Sequence, residues 1–183
     1  GKKLSPEKMT QLDKWMIFRC KNLQDEIIQD YLDYNFHQAF QKIHNYCAND
    51  LGGFYLDILK DRLYTSKQDS DARRSAQFAL SNILQALLRW ISPILSFTAE
   101  EAWQSLDNEI KSVHLLEWFN DWVEVGDLEF SDEDWKEILE LRSEVNKHIE
   151  EARNNEIIGS SLDAEIEILC GEKLFNLLEE FNE

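Results

Sequence analysis

Ala76-Gln-Phe-Ala-Leu-Ser-Asn-Ile-Leu-Gln-Ala-Leu-Leu-Arg-Trp-Ile-Ser-Pro93 is the stretch on which the fold turns. Ala76, Ala79, Leu80, Ile83, Leu84, Leu87, Leu88, Ile91 and Ile94 recur at three- and four-residue steps, the period of one helix face. The face is broad and begins with small residues, which suits close packing inside a helical bundle. Pro93 lacks an amide donor and restricts the residue before it, so the helix is expected to end or bend near Ile91. Upstream, Thr65 to Ser70 reads as a polar loop in which Asp69 or Ser70 can cap this helix.

Two further stripes precede it. Met9, Leu12, Met16, Cys20, Leu23, Ile27 and Tyr31 mark a long helix, introduced by Ser5 as cap and Pro6 at the first helical position. Asp33-Tyr34-Asn35 breaks that run. Phe36, Phe40, Ile43, Cys47, Leu51, Phe54 and Ile58 then form a second stripe, with Gly52-Gly53 expected to kink it. Downstream, Thr98 with Glu101 has the form of a capping box opening a short helix through Trp103 and Leu106. Val113 to Trp118 reads as extended and Asn120 to Phe130 as an acidic connector. The acid-rich turn from Ser131 to Asp134 starts a helix reaching about Arg153. Gly159 to Ser161 reads as a turn. Ala164, Ile166 and Ile168 alternate with Glu165 and Glu167, which predicts a strand over 164–170, and Glu172 to Phe181 reads as helix.

The expected class is therefore mainly α. A helical bundle spans residues 1–112, and a small α+β appendage (connector, long helix, strand and short helix) spans 113–183. The chain has 183 residues, only six Gly and two Pro, and apolar and charged fractions of 43% and 30%. These values fit a globular chain and exclude a fibrous repeat or wholesale disorder. Residues 1–30 carry no signal-like apolar region, and no run approaches the roughly 20 apolar residues that span a bilayer. Cys20, Cys47 and Cys170 are odd in number and widely spaced, which argues against a disulfide framework and a CxxC metal knuckle; a reducing cytoplasm is the expected setting.

Net charge is −17. The average hides a split: Gly1 to Ser75 carries 12 basic and 11 acidic residues, whereas Ala76 to Glu183 carries 7 and 25. Taken alone, so negative a charge argues against nucleic acid, because phosphate binding draws on Lys and Arg, and the acidic second part reads first as a solvated face; any phosphate contact would fall to the first part, with the carboxylates of the second facing away from it.

Catalytic constellations are absent from the sequence. There is no glycine-rich phosphate loop, His37 and His44 lie too far apart for the i, i+4 chelation of a zinc helix, and Cys20 and Cys47 sit on apolar stripes. Ser92 and Ser96 have no sequence-adjacent His with an orienting acid, so a hydrolase would need a spatially assembled site. What remains is a binding surface. On a straight helix from Asn35 to Arg62, Lys42, Asn45, Asn49 and Lys60 fall within about 60° of one another, opposite the apolar stripe. Arg62, Lys67, Arg73 and Arg74 gather around the next loop, and Trp15, Tyr55 and Tyr64 offer flat rings on which unstacked bases can lie. A polar helix face needs no ligand, so this pattern alone fits a helical protein-interaction module equally well.

Longer strings add a resemblance. Leu51-Gly-Gly-Phe-Tyr-Leu-Asp-Ile-Leu-Lys-Asp-Arg-Leu-Tyr-Thr65, with Asp33-Tyr-Asn-Phe-His37, Arg74-Ser-Ala-Gln77 and Ser92-Pro-Ile-Leu-Ser-Phe-Thr-Ala-Glu-Glu-Ala-Trp103, closely resembles the anticodon-binding region of bacterial-type isoleucyl-tRNA synthetases, class Ia enzymes. Glu144 to Lys147, Glu151 to Arg153 and Ile158 to Ala164 extend it over nearly the whole chain. Valyl-type enzymes share the bundle and are the alternative within the class. The resemblance implies a fragment of an enzyme that ligates isoleucine to its tRNA with ATP. The catalytic and editing domains would lie elsewhere in that chain, and the fragment, expected to be monomeric, would serve tRNA recognition only. Neither a HIGH-type nor a KMSKS-type motif occurs here. Bacterial members often end in a Cys-rich zinc module, and nothing after Cys170 supplies one. The fragment is thus expected to hold no cofactor, with ATP and zinc belonging to the parent. The candidate tRNA contacts are Lys60 and Arg62 first, then Lys42, Asn45, Arg73, Arg74, Trp15 and Arg19.

Overall fold

The structure, a computed structural model, describes residues 4–106, 110–160 and 163–181. The chain divides into two compact units, one reaching Asp127 and one beginning at Leu128. In the first, a short 3-10 turn, Pro6–Lys8, precedes α1 (Gln11–Leu32). The cap of α1 is Thr10, whose hydroxyl accepts from the Asp13 amide, so Ser5 introduces only the 3-10 turn. α2 (Phe36–Asn45) passes into a π-helical segment, Tyr46–Tyr55, and then into α3 (Leu56–Thr65). α4 (Asp71–Ile91) is capped by Ser70 and stops two residues before Pro93. α5 (Ser96–Gln104) follows. Leu95 occupies its cap position, so Thr98 lies inside the helix and the expected capping box with Glu101 is not formed.

The second stripe is not one straight α-helix. In the π segment, bonding runs from i to i+5, as where the Leu56 amide donates to the Leu51 carbonyl. This shifts the phase of everything downstream, so Lys60 does not share the α-helical register that the sequence assigns to Lys42 and Asn45. Gly52 and Gly53 lie within that segment. A Cβ on Gly52 would meet the Cys47 carbonyl at 3.1 Å, which ties this glycine to a close backbone approach.

α1 and α4 run in the same direction, since Asp13 meets Ser75 near their starts and Gln24 meets Trp90 farther along. Met16, Cys20 and Ile27 of α1, Ala76, Ala79 and Ile83 of α4, and Tyr46 and Tyr55 fill the interior. Burial pushes the Cys20 thiol up to about 12, as expected of a thiol used for packing. Gln24 ties the connector to the bundle: its amide nitrogen donates to the Phe119 carbonyl at 2.9 Å, and its oxygen accepts from the Trp90 indole at 3.0 Å. Leu88, Ala99, Trp103 and Val113 form an adjoining apolar cluster. Residues 113–115 make a 3-10 turn rather than the start of an extended stretch.

Glu100 fastens this turn. Its carboxylate accepts from the Gln104 amide at 2.8 Å, the Ser112 hydroxyl at 2.9 Å and the Val113 amide at 3.0 Å. The hydrogen bond from Gln104, then those from Ser112 and Val113, hold its pKa below the ordinary 4.5. A depressed folded pKa gives a contribution that is present above the ordinary value and lost as pH falls through the folded one. Glu100→Gln is therefore expected to be less stable than the parent at neutral pH, with the gap closing below about pH 4. Thermal unfolding of both chains from pH 7 to pH 3 checks this, and a gap independent of pH would exclude it.

In the second unit, Ser131 and Asp134 form the reciprocal capping box of α6 (Asp132–Asn154). α7 (Glu172–Glu180) completes it, with Phe130, Trp135 and Phe181 packed edge to face at 5.2–6.1 Å. The strand expected at 164–170 is not formed: no strand occurs among the described residues, so the second unit is helical and irregular rather than α+β. A strand exists through a ladder, and the main chain of 164–170 hydrogen-bonds to no described residue. Ile166, Ile168 and Leu169 accordingly remain exposed, so the period of two in the sequence buries no continuous face.

Candidate nucleic-acid interface

The centre of the first unit is a buried carboxylate. Asp13 has no exposed surface and accepts from the Tyr55 hydroxyl at 2.6 Å, the Ser75 hydroxyl at 2.5 Å and the Arg62 guanidinium at 3.2 Å. The same Arg62 nitrogen donates to the Thr10 hydroxyl at 3.1 Å. Three helices and a cap thus converge on one charge, every partner of which is itself part of the bundle. Arg62 is only 14% exposed at its side chain, and its guanidinium is directed to this network. Asp13 lies four residues after Met9 and three before Met16, inside the apolar stripe of α1. A carboxylate at that spacing was the available sequence signal of a buried hub.

The other sequence candidates fall into three environments. Trp15, 3% exposed, packs edge-on against Phe54 at 6.4 Å, and Tyr55 is fully buried; neither ring offers an open face. Arg19 lies over the Trp15 ring and pairs with Asp50 at 2.9 Å. Lys42 bridges Asp30 at 2.7 Å and Glu26 at 3.2 Å; the bond to Asp30, foremost, raises its pKa. Arg73 donates to the Ser66 carbonyl at 3.3 Å, holding the α3–α4 loop, and Arg74 beside it is half-buried. Asn45 is exposed on α2.

Lys60 stands apart from these. Its side chain is 67% exposed and pairs only loosely with Asp57, one turn back at 3.6 Å. Such surface pairs are worth roughly 0–1 kcal/mol, so the ammonium exchanges Asp57 for another anion at small cost. Tyr64, four residues on and on the same face of α3, is 86% exposed, and Lys67 is exposed in the following loop. The last two turns of α3 and the loop after it thus expose two cations and a flat ring.

Among the described residues there is no group of His, Cys, Asp or Glu able to hold a metal ion, and no helix is long and apolar enough to cross a membrane. Comparison with known proteins gives this arrangement a context. Residues 13–168 match the family described as the anticodon-binding domain of tRNA ligase. The chain belongs to this family. As an anticodon-binding domain it is 43% identical over 181 residues to an isoleucine–tRNA ligase of Legionella pneumophila strain Corby, covering 98% of this chain and 19% of that protein. It is 49% identical over 174 residues to an isoleucine–tRNA ligase of Shewanella sediminis, covering 94% and 18%. A relative of the same name from Blochmanniella pennsylvanica is 45% identical over 175 residues, covering 94% and 19%. The anticodon-binding domain thus spans about one fifth of the length of these relatives.

Proposed function

We propose that the chain is the part of an isoleucine–tRNA ligase that grips the anticodon stem-loop of isoleucine tRNA, while amino-acid activation with ATP takes place in other domains of the whole protein. The observation that supports this most strongly is the family match over a bundle that leaves Lys60, Tyr64 and Lys67 exposed together. RNA stems are held mainly through phosphates, and loops through stacking and base-edge contacts. A grip far from the reacting centre orients the acceptor end and raises the productive fraction without doing chemistry itself. On this reading Lys60 and Lys67 meet phosphates. Arg62 acts indirectly by fixing α3 to α1, and Arg73 by shaping the loop that carries Lys67. All the relatives compared above are isoleucine enzymes, which favours isoleucine over valine.

Lys60→Ala tests the assignment. Stability is expected to stay within about 0.5 kcal/mol of the parent, as for exposed substitutions generally. Affinity for an isoleucine-tRNA anticodon stem-loop is expected to fall, by a similar factor whatever the loop sequence, with the salt slope reduced by about one. Titrations at two salt concentrations measure both. Unchanged affinity and slope would make Lys60 an ordinary surface lysine.

A further inference from the structure

The opposite end of the bundle carries a second surface, built from residues outside the set read from the sequence. Where α1 ends, Tyr31 meets Phe36 at 5.5 Å and Trp118 at 5.8 Å, and Tyr34 meets Phe36 at 5.9 Å, all edge-on. Tyr34 is 79% exposed and sits at φ 59°, a left-handed conformation that is costly for an aromatic residue. Phe36 is also exposed, whereas Tyr31 and Trp118 are half-buried beneath them. Contiguous exposed aromatics on an otherwise polar chain mark a binding surface.

Tyr31 and Trp118 also line an open cavity of about 550 Å³ together with Arg89, Ser92, Glu117 and Asn120, a size within the usual range for ligand sites. The Arg89 guanidinium lies over the Trp103 and Phe119 rings, at 5.4 and 5.2 Å from their centroids, and donates to the carbonyl and side-chain oxygens of Gln85. The chemistry selects among RNA groups. Arg89 also lines the cavity, but Glu117 in the lining and Asp121 near Arg89 offset its charge, so a phosphate gains little there, whereas a base is uncharged, has a π face for Trp118 and presents edge donors and acceptors to Ser92 and Asn120. The cavity lies by the C-terminal end of α4, whereas Lys60 lies on α3, the helix that leads into the start of α4, so phosphate and base contacts fall on different parts of the bundle.

We propose that this cavity receives one unstacked base of the anticodon loop, stacked on Trp118 with Tyr31, Tyr34 and Phe36 forming the rim. The proposal rests on the anticodon reading and adds where a loop base is held. To test it, the 183-residue chain is titrated with isoleucine-tRNA anticodon stem-loops carrying 2-aminopurine at each loop position in turn. Binding is expected to quench the probe at one loop position. Trp118→Ala should abolish that quench and weaken binding about 5- to 140-fold, the value of one base stack, while Trp118→Phe should retain most of both. Tyr34→Asn, which tolerates the left-handed turn and removes an exposed ring, should weaken binding without lowering the melting temperature. Parent binding without quench at any position would overturn the proposal. So would Tyr34→Asn binding like the parent if Trp118→Ala fails to fold, or Trp118→Ala binding like the parent if it folds. Failure of the parent chain to bind any stem-loop would instead overturn the anticodon reading, and this proposal with it.

Discussion

Asp13→Ala is expected to destabilise the first unit by about 3–5 kcal/mol, the usual consequence of removing one partner from a buried ion pair. The substitution strands three groups at once. The Arg62 guanidinium loses its counter-charge at 14% exposure, and the Tyr55 and Ser75 hydroxyls lose their acceptor where neither residue has any exposed surface. At roughly 2–4 °C per kcal/mol, the melting temperature should fall on the order of 10 °C. Tyr55→Phe removes one neutral donor and leaves the ion pair, so it should cost nearer 1 kcal/mol. Breaking the exposed pair of Lys8 with Asp71, 3.1 Å apart, through Lys8→Met should cost less than about 1 kcal/mol. Denaturant unfolding of the three variants gives the order directly. An Asp13→Ala chain as stable as the Lys8→Met chain would remove the carboxylate from the centre of the fold.

Trp135→Ala is expected to unfold the second unit while leaving the first intact. Trp135 is 1% exposed and stands between Phe130 and Phe181, with Ile138 and Leu177 completing the same small core. Truncating a buried Trp costs about 3–5 kcal/mol, and a unit this small has little stability to lose. The Ser131 capping box survives the change but contributes only about 1 kcal/mol. Amide exchange resolves the outcome: protection in α6 should vanish and protection in α4 should match the parent. Retained protection in α6 would show that the aromatic cluster is not what holds this unit together.

Much of the architecture could be read from local pattern, because helices announce themselves by period, cap and stop. The apolar stripe of α4, its Ser70 cap and its end before Pro93 all follow from side-chain spacing and the chemistry of single residues. The same holds for α6, whose acidic first turn carries its own cap. Features that depend on partners distant in sequence were less legible. The alternation at 164–170 describes a strand only if a neighbouring strand supplies the ladder, and none of the described residues does. The π segment escaped because a change from i+4 to i+5 bonding alters phase without altering the kinds of residue on the stripe. At the candidate interface, residue type pointed to Arg62, Trp15 and Tyr55, but whether a cation or ring faces solvent is decided by what packs across from it. Asp13 engages Arg62 and Tyr55, and Phe54 covers an edge of Trp15. Tyr34 was legible only as a helix breaker. Its part in an exposed aromatic surface depends on Trp118, more than 80 residues away, reaching the end of α1.

The most direct measurement is the affinity of the 183-residue chain for an isoleucine-tRNA anticodon stem-loop, set against a stem-loop with the same stem and a scrambled loop, at two salt concentrations. Phosphate contacts with the stem should make both weaken as salt rises, and base contacts should leave the native loop tighter by about 5-fold or more at either salt. Equal affinities for the two loops, or no binding of either, would contradict the account.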